Sequence, residues 1–453
     1  METISVKDVF KNYKQLKRVK LAGWVRTNRD SGSLGFISFT DGTSINSIQL
    51  VYKKQETSNF EEARTTKTGS AILIEGDVVE SLKENQHFEI LVKDFKMLKQ
   101  ADEDFPLQKK EHSAEFLRTI AHLRHRTNKY SAIMKIRSEL AFAIHNFFHM
   151  NDFSWVSTPI LTGNDAEGAG ENFIVRSKNN ELFFDKQASL TVSGQLHAEA
   201  YAQGLKRVYT FGPTFRAEKS NTNRHIAEFW MIEPEIAFCG LNQLTLLIEA
   251  FVKYLIRFVL KNCKDEMIFL NKLSGEQLIP KLENVINNDF VKLSYKDAIA
   301  ILKKSISENK TNFEDNEIYF GKDLASEHER FLCEKVFNKP VILTDFPKEI
   351  KAFYMKLNND GTTVAACDLL VPGVGEIIGG SQREDDYKKI LNRCLKMGIK
   401  PEEISWYLDL RKYGYYKSAG FGLGFERLIM YITDTSNIKD VIPFPRSYGP
   451  INF

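Results

Sequence analysis

The sequence is poor in cysteine, and none of its cysteines forms a C-x-x-C pair. The five cysteines among 453 residues lie far apart in the second half of the chain. This spacing argues against a zinc site, which needs clustered thiolate or imidazole ligands, and against a disulfide framework. A reducing compartment fits best, so we expect a cytoplasmic protein.

Long hydrophobic runs are also absent. The first residues, METISVKDVFKNYKQLKR, alternate charged and apolar side chains and lack the continuous apolar core of a signal peptide. The most apolar stretch, Leu244 to Leu260, is interrupted at four-residue spacing by Glu249, Lys253 and Arg257. Such spacing predicts one polar stripe on an amphipathic helix, so we expect no membrane span and no membrane partner.

Charge of one sign is scarce, because the formal net charge is only +3 and the pI is near 8.3. This balance is too weak to identify a polyanionic partner, although it is compatible with a local basic face. With 43% hydrophobic and 27% charged residues the composition is that of an ordinary globular protein. The length allows two or three domains.

The N-terminal part has the pattern of a small all-β domain. Short β-rich runs from Val19 to about Leu98 are separated by turn signals such as Asp41-Gly42. We predict a β-barrel over residues 1–100.

The remainder predicts a linker followed by an α+β domain. Residues 101–128 are charged and irregular and contain Pro106, as expected of an interdomain hinge. Over residues 129–453, a helical pattern leads into the extended segment WVSTPIL and then into further helices and strands. Alternating βαβ units are absent, so an antiparallel sheet flanked by helices is favoured over a doubly wound one.

The segment from Val208 to Phe238 reads as two strands joined by a polar loop. It carries an unusual density of polar groups on an apolar framework, namely Arg216, Glu218, Arg224, His225, Phe229, Glu233 and Glu235. A site for phosphate and a purine needs guanidinium groups for oxygens, an aromatic face for the base and carboxylates for amines. The alternative is a half-exposed hairpin with solvated charges.

A second segment, SAGFGLGFERLIMY, combines alternate glycines with the start of a helix. Gly420, Gly422 and Gly424 would leave one strand face bare for a flat ligand, and Arg427 in the first helical turn would reach a phosphate. The spacing fits neither G-x-G-x-x-G nor a P-loop. A glycine-rich packing seam explains it equally well.

A third segment, VAACDLLVPGVGEIIGGSQR, contains two carboxylates in apolar surroundings. Asp368 and Glu376 flank a Pro372-Gly373 turn, where unpaired carboxylates would be costly. One or two carboxylates completed by substrate phosphates and water are a common way to hold Mg²⁺. The glycines that follow would bulge the strand and aim Arg383 into the site, whereas the alternative is an ordinary surface loop.

Together these segments resemble the class II aminoacyl-tRNA synthetases of the aspartyl, asparaginyl and lysyl subgroup. WVSTPIL, with Pro159, resembles motif 1; FRAEKSNTNRHIAEF resembles motif 2; GFGLGFERL resembles motif 3. The resemblance covers nearly the whole chain. It implies a catalytic domain on an antiparallel sheet, an N-terminal OB-fold barrel that binds the tRNA anticodon, and a homodimer with Pro159 in its interface.

The resemblance also implies roles for the polar residues. Arg216 would bind the α-phosphate of ATP and the substrate carboxylate, Phe229 would stack on adenine, and Arg427 would bind the γ-phosphate, with Arg216 and Arg427 acting catalytically. The other ATP contacts would come from Glu218, Arg224, His225 and Glu376, and Mg²⁺ would be held by Asp368 and Glu376.

The residues at the implied amino-acid site indicate that asparagine is the substrate. Where aspartyl enzymes read S-P-Q-L-x-K, this sequence has SGQLHA, so that Ala198 replaces a lysine; Glu233 replaces an aspartate. Losing a cation and extending a carboxylate suits a neutral amide. The implied amino-acid site consists of Glu167, Gln195, Arg216, Glu233 and Arg383, and the implied nucleic-acid partner is tRNA(Asn).

In the barrel, GWVRTNRDSGSLGFISFTDGTSINSIQLV resembles the anticodon-binding segment of the subgroup. Arg29, Phe36 and Gln49 match the positions that contact anticodon bases, where stacking and polar readout recognise unpaired RNA. The alternative for Phe36 is a place in the barrel core.

Three other functions remain open from the sequence. They are a tRNA ligase that is specific for aspartate or accepts both aspartate and asparagine, a synthetase-like tRNA-binding protein without catalysis, and a tRNA-independent asparagine synthetase. The retained polar residues disfavour a protein without catalysis, and the barrel disfavours the tRNA-independent enzyme.

Overall fold

The computed structural model describes residues 2–83, 86–163, 172–220 and 222–453. The chain divides into two units, Met1–Ala132 and Ile133–Phe453. Each unit has hydrophobic core residues of its own.

Unit 1 is built on a closed five-stranded barrel. Its strands are β1 (Arg18–Asp30), β2 (Leu34–Thr40), β3 (Ile48–Lys53), β4 (Ala71–Lys83) and β5 (Gln86–Lys99), in the order β1-β2-β3-β5-β4. The pairing is antiparallel except between β3 and β5. Alternate residues such as Ile37, Phe39 and Leu50 fill the interior because side chains alternate between the two faces of a strand. The predicted all-β barrel is therefore confirmed.

Short helices accompany the barrel. They are α1 (Val6–Asn12), α2 (Phe60–Thr65), α3 (Ala114–Thr119) and α4 (Ala121–Arg124). The Ser5 side chain accepts a hydrogen bond from the Asp8 amide and so caps α1, whose Val6 and Val9 join the barrel core. Around α3, Leu107, Leu117 and Tyr130 form a separate small cluster. The predicted linker segment thus contains helices as well as irregular chain.

Helix α5 (Asn128–Met150) leads into the sheet of unit 2. The apolar residues that recur at three- and four-residue spacing are all buried, as the periodicity predicted, namely Ile133, Ile136, Leu140, Ala143, Ile144 and Phe147. The chain then enters β6 (Ser154–Trp155), which pairs with the strand that carries Val208 and Tyr209.

The described part of unit 2 contains an eight-stranded sheet and a small three-stranded one. The short strands β7 (Leu161–Thr162), β8 (Ile174–Val175) and β9 (Ala188–Leu190) form the small sheet. The large sheet uses β6, β10 (Arg207–Phe215), β11 (Glu228–Ala237), β12 (Val291–Ser294), β13 (Val341–Pro347), β14 (Thr363–Val371), β15 (Gly375–Gln382) and β16 (Ser418–Gly424).

The large sheet has the order β12-β13-β14-β15-β16-β11-β10-β6. The pairs from β13 to β10 are antiparallel, which confirms the predicted sheet. The outermost pairs, β12 with β13 and β6 with β10, are parallel, so the sheet as a whole is mixed. All nine residues of β14 are buried, and this strand therefore carries Asp368 into the interior.

Helices cover the sheet. They are α6 (Gln195–Leu205), α7 (Leu241–Asn262), α8 (Lys264–Leu273), α9 (Leu278–Asn287), α10 (Tyr295–Ser307), α11 (Ser326–Phe331), α12 (Tyr387–Lys396), α13 (Ser405–Asp409) and α14 (Phe425–Thr433). A π-helical turn spans Leu332–Val336, and 3₁₀ turns span Lys348–Ile350, Pro401–Ile404, Leu410–Lys412 and Ile438–Asp440.

Helix α7 is the predicted amphipathic helix. Leu244, Ile248 and Phe251 are buried on one face, and Lys253 Nζ lies 2.6 Å from Glu249 Oε1 on the polar stripe. Among the described residues no helix is both long enough and apolar enough to cross a bilayer.

Candidate active site

The hairpin of β10 and β11 ends where the predicted nucleotide contacts begin. Thr214 pairs with Phe229, and beyond the last strand residue the Arg216 amide donates to the Ala227 carbonyl at 2.9 Å. This reversal brings the Arg216 guanidinium carbon to 5.3 Å from the centre of the Phe229 ring. A phosphate-binding group and an aromatic face therefore lie side by side at the hairpin end.

Every side chain predicted to contact ATP lines one cavity. Its walls include Arg216, Glu218, Arg224, His225, Phe229, Glu376 and Arg427. Met231, Gly422 and Gly424 also line it. The three polar segments of the sequence, which are distant along the chain, thus meet at one place on the sheet.

Positive charge concentrates at one end of this cavity. Arg427 lies in the first turn of α14, where its Nη1 is 3.3 Å from the Glu376 carbonyl oxygen and 3.7 Å from Glu376 Oε2. Burial, and then the neighbouring cations Arg330 and Arg427, lower the pKa of Arg224. A polyanion such as a triphosphate would relieve this repulsion.

Two carboxylates converge beside the cavity. A Cβ atom added at Gly379 would lie 3.0 Å from Glu376 Oε1 and 3.5 Å from Asp368 Oδ1, so both oxygens border the space left by this glycine. Lys351 Nζ donates to Asp368 Oδ2 at 2.5 Å. Burial and the charge of Glu376 raise the pKa of Asp368 to about 6, while Lys351 opposes the shift.

A third acidic residue supports this pair. Glu329 Oε2 accepts a hydrogen bond from the Glu376 amide at 3.1 Å, and burial, followed by the charge of Glu376, raises the pKa of Glu329 to about 7. Among the described residues no three acidic, histidine or cysteine side chains are arranged to hold a metal ion. The donor set fits Mg²⁺ only if water or substrate oxygens complete its shell, which is usual for this ion.

A second cavity adjoins the first and shares Arg216, Met231, Glu376 and Gly422 with it. Gln195, Glu233 and Arg383, three of the predicted amino-acid contacts, line this second cavity. Glu233 is 4% exposed and accepts hydrogen bonds from the Gly194 amide, at 2.9 Å, and from the Ser193 hydroxyl. The acceptor predicted for a substrate amide is therefore held in a fixed orientation.

Arg383 is equally constrained. Its Nε donates to Glu235 Oε2 at 3.1 Å, its Nη2 donates to the other oxygen of Glu235, and its Nη1 donates to Ser381 Oγ at 2.9 Å. Burial lowers the pKa of Arg383, but the charge and hydrogen bonds of Glu235 outweigh this and raise it above its usual value. The guanidinium stays charged at the wall of the cavity.

Comparison with known proteins identifies the family of this site. Residues 113–448 match the profile described as "tRNA synthetases class II (D, K and N)", and residues 19–98 match "OB-fold nucleic acid binding domain". The chain is 70% identical over 453 residues to the asparagine–tRNA ligase of Malacoplasma penetrans, with 100% of both chains covered. The chain belongs to the asparagine–tRNA ligases, a family of class II tRNA synthetases.

More distant members of the family agree with this assignment. The asparagine–tRNA ligase of Mycoplasmoides gallisepticum is 54% identical over 457 residues, again with 100% of each chain covered. The crystal structure of asparaginyl-tRNA synthetase from Pyrococcus horikoshii complexed with asparaginyl-adenylate superposes with a TM-score of 0.89 at 35% identity, covering 100% of this chain and 99% of that one.

Some predicted residues lie elsewhere. Glu167 is outside the described residues. Ala198, the position of the missing lysine, is buried against Ala202 and Val208 and is not among the described residues that line the two cavities. Pro159 is exposed beyond β6.

The predicted anticodon residues share the outer face of the barrel. Arg29 pairs with Phe36 across β1 and β2, and Gln49 pairs with Ser38 across β2 and β3. Phe36 does not belong to the barrel core, which contains its neighbour Ile37. Because register partners and alternate residues lie on one face, the three predicted residues face the same side.

Sequence reasoning missed the groups that hold the site residues. Glu199 accepts a hydrogen bond from Gln195 Nε2 and binds Arg411, and Lys351 binds Asp368. Arg411 lies more than 200 residues from Glu199 along the chain, and no local motif marks either. Glu329, on α11, was missed as well.

The alternate glycines of β16 receive side chains from their neighbours. A Cβ at Gly420 would lie 2.2 Å from Glu235 Oε1, and one at Gly422 would lie 2.8 Å from Met231 Cε. Gly422 and Gly424 line the first cavity, whereas Gly420 makes room for the carboxylate that holds Arg383. The strand is therefore both a packing seam and a cavity wall.

Gly420→Ala tests this steric role. The new methyl group would displace Glu235, and we expect a loss of about 1–3 kcal/mol in the free energy of unfolding, as for other overpacked cores. Gly212→Ala on β10 is the matched control, because a Cβ there meets nothing within 4 Å. Urea denaturation followed by circular dichroism measures both. Equal stability of the two variants would show that the space at Gly420 is not needed.

Proposed function

We propose that this chain activates asparagine with ATP and transfers it to the 3′ end of tRNA(Asn). The observation that carries the proposal is the meeting of Arg216, Phe229, Glu376 and Arg427 in one cavity of a chain that is 70% identical to an asparagine–tRNA ligase. The Pyrococcus horikoshii enzyme, solved in complex with asparaginyl-adenylate, supports the use of ATP.

In the first step a carboxylate oxygen of asparagine attacks the α-phosphorus of ATP. A phosphorus–oxygen bond forms to the amino acid, the bond to the bridging oxygen of the β-phosphate breaks, and pyrophosphate leaves. No side-chain nucleophile is required, so orientation and charge stabilisation supply the catalysis. Arg216 lines both cavities, which suits it to bridge the carboxylate and the α-phosphate.

The remaining nucleotide contacts follow from the cavity walls. Phe229 would stack on adenine beside Glu218, and Arg224, His225 and Arg427 would bind the β- and γ-phosphates. Asp368 and Glu376 would hold Mg²⁺, which supplies positive charge next to the phosphates. The two carboxylate oxygens that border the space at Gly379 support this choice of ligands.

Selection of asparagine would depend on two fixed groups. Glu233 accepts from the side-chain NH₂ group and Arg383 donates to the side-chain oxygen, while Gln195 and Glu167 contact the α-amino group. The hydrogen bonds that orient Glu233 and Arg383 support these roles. A preorganised polar pocket penalises substrates that leave its groups unpaired.

In the second step the terminal ribose hydroxyl of tRNA attacks the carbonyl carbon of the adenylate. An ester forms, the bond to the phosphate oxygen breaks, AMP leaves, and the hydroxyl proton is released. The OB-fold barrel would select tRNA(Asn) through its anticodon, with Phe36 stacking on a base and Arg29 and Gln49 reading polar edges.

We also propose a homodimer in the cytoplasm. Trp155, Ile160 and Leu161, which flank Pro159, are 55%, 42% and 46% exposed, and a partner surface would bury these apolar groups. The described cysteines are buried and form no disulfide with one another, which suits a reducing compartment.

The activity is tested by amino-acid-dependent exchange of pyrophosphate into ATP with asparagine, aspartate and lysine in parallel. We expect asparagine to support exchange at least about a hundred-fold better than either other amino acid, because the pocket pairs with an amide. If aspartate worked as well as asparagine, the chain would be the relaxed or aspartate-specific ligase.

Arg216→Ala tests the bridging role. We expect asparagine-dependent exchange to fall by about 10²–10³-fold, the usual cost of removing a group that stabilises transition-state charge. Lys219→Ala removes an exposed cation from the same loop that does not line the described cavities, and it should retain exchange. Thermal unfolding of both variants should match that of the parent protein. Near-normal exchange in the Arg216 variant would reject its role.

Phe36→Ala tests anticodon stacking. We expect kcat/KM for tRNA charging to fall about ten-fold or more, since one stacked base contributes about 1–3 kcal/mol, while pyrophosphate exchange is unchanged. Leu98→Ala is the control, because Leu98 is 50% exposed on β5, a strand that does not pair with β2. Equal loss of charging and exchange in the Phe36 variant would indicate a structural role instead.

A further inference from the structure

A buried carboxylate lies behind the amino-acid cavity. Glu199 is 0% exposed, on the first turns of α6. Its Oε1 accepts from Arg411 Nη2 at 2.6 Å and from the Tyr415 hydroxyl at 2.8 Å. Its Oε2 accepts from the Tyr407 hydroxyl at 2.6 Å and from Gln195 Nε2 at 3.0 Å. Four donors therefore hold this carboxylate in one position.

Glu199 lies close to two residues that line the cavity, Gln195 and Arg383. It directs the amide nitrogen of Gln195 towards itself, which leaves the Gln195 oxygen for other partners. Its Oε2 also lies 3.9 Å from Arg383 Nε. Gln195 and Arg383 both line the cavity, so the charge of Glu199 is felt there although Glu199 is not among the lining residues.

The buried cations of this cluster are already engaged. Arg383 and Arg411 are the cations, and each already binds a carboxylate, Glu235 and Glu199 respectively. Glu233 adds a further buried negative charge at the cavity. Farther along the wall, Lys351 is bound to Asp368. The buried groups of this cluster comprise three carboxylates and two guanidinium groups.

The engagement of both cations matters because asparagine and aspartate have nearly the same shape. They differ in that one side chain is neutral and the other carries a negative charge. A carboxylate placed beside these buried carboxylates meets repulsion and finds the two guanidinium groups already engaged. A neutral amide avoids both costs.

We propose that Glu199 is a specificity-determining residue, whose buried charge excludes aspartate from the amino-acid cavity. The inference rests on the proposed function, because it concerns how the same site rejects a near-isosteric substrate. Aspartate is then rejected by repulsion from Glu199, which lies behind the cavity wall, as well as by the hydrogen-bonding groups that line the cavity. Glu199 touches no substrate atom and acts through Gln195 and Arg383.

A purely structural role for Glu199 makes a different prediction. If the carboxylate only kept Gln195 in place, its loss would weaken the use of asparagine and aspartate alike. The ratio of the two kcat/KM values in pyrophosphate exchange separates the two accounts, since it cancels any general loss of active enzyme.

Glu199→Gln removes the charge and keeps the size. We expect the preference for asparagine over aspartate to fall about ten-fold or more, through improved use of aspartate relative to asparagine. Where exchange with aspartate is too slow to follow, the inhibition constant of aspartate against asparagine-dependent exchange reports the same change. An unchanged preference would overturn the proposal.

Glu199→Asp is the matched control, because it keeps the charge and shortens the side chain. It should lower exchange but keep the preference close to that of the parent protein. A preference relaxed as far as in Glu199→Gln would show that geometry and not charge is responsible, and would overturn the proposal.

The double variant Glu199→Gln with Arg411→Gln provides a second test in case the single variant does not fold. The single Gln variant leaves Arg411 buried without its carboxylate, which alone can prevent folding, whereas removing both charges is better tolerated. Because the double change leaves the net charge of the cluster unaltered, the preference should stay near that of the parent. Relaxation to the use of aspartate would contradict the charge account.

The same measurements separate this proposal from the proposed function. If the parent protein failed to exchange pyrophosphate with asparagine, the assigned activity would be wrong. If the parent selected asparagine but Glu199→Gln kept the full preference, only the role of Glu199 would be wrong.

Discussion

The pairing of β11 with β10 on one side and β16 on the other is the constraint on which the site depends. Its register sets Thr214 against Phe229 and Glu235 against Gly420. The first pair closes the hairpin so that Arg216 lies beside Phe229. The second leaves room for a buried carboxylate, which then holds Arg383. A register shift of one residue would turn these side chains to the opposite face.

Around this frame lie three groups of charged side chains. Arginines line the first cavity, two carboxylates meet at Gly379, and a buried network of carboxylates and guanidinium groups lies at the second cavity. A protein that only bound tRNA would have no reason to keep buried charges so costly. The arrangement, together with the family, favours a ligase over the alternatives left open by the sequence.

Local patterns predicted the local structure well. Periodic apolar residues of α5 and the alternation in the barrel strands are confirmed because burial follows the repeat of each element. The two parallel edge pairs of the sheet escaped prediction, since they join strands from distant segments. Glu167 and the roles of the site residues stay predictions, although the structure brings the described ones together.

The sequence alone predicted the fold class, the family motifs and the residues that line the first cavity, because each lies in a short segment with its own pattern. The groups that orient these residues are visible only in the folded chain. Arg411 reaches Glu199, Lys351 reaches Asp368 and Glu235 reaches Arg383 across the packed sheet and helices. Such contacts depend on how the chain folds back on itself, and no local spacing along the sequence records them.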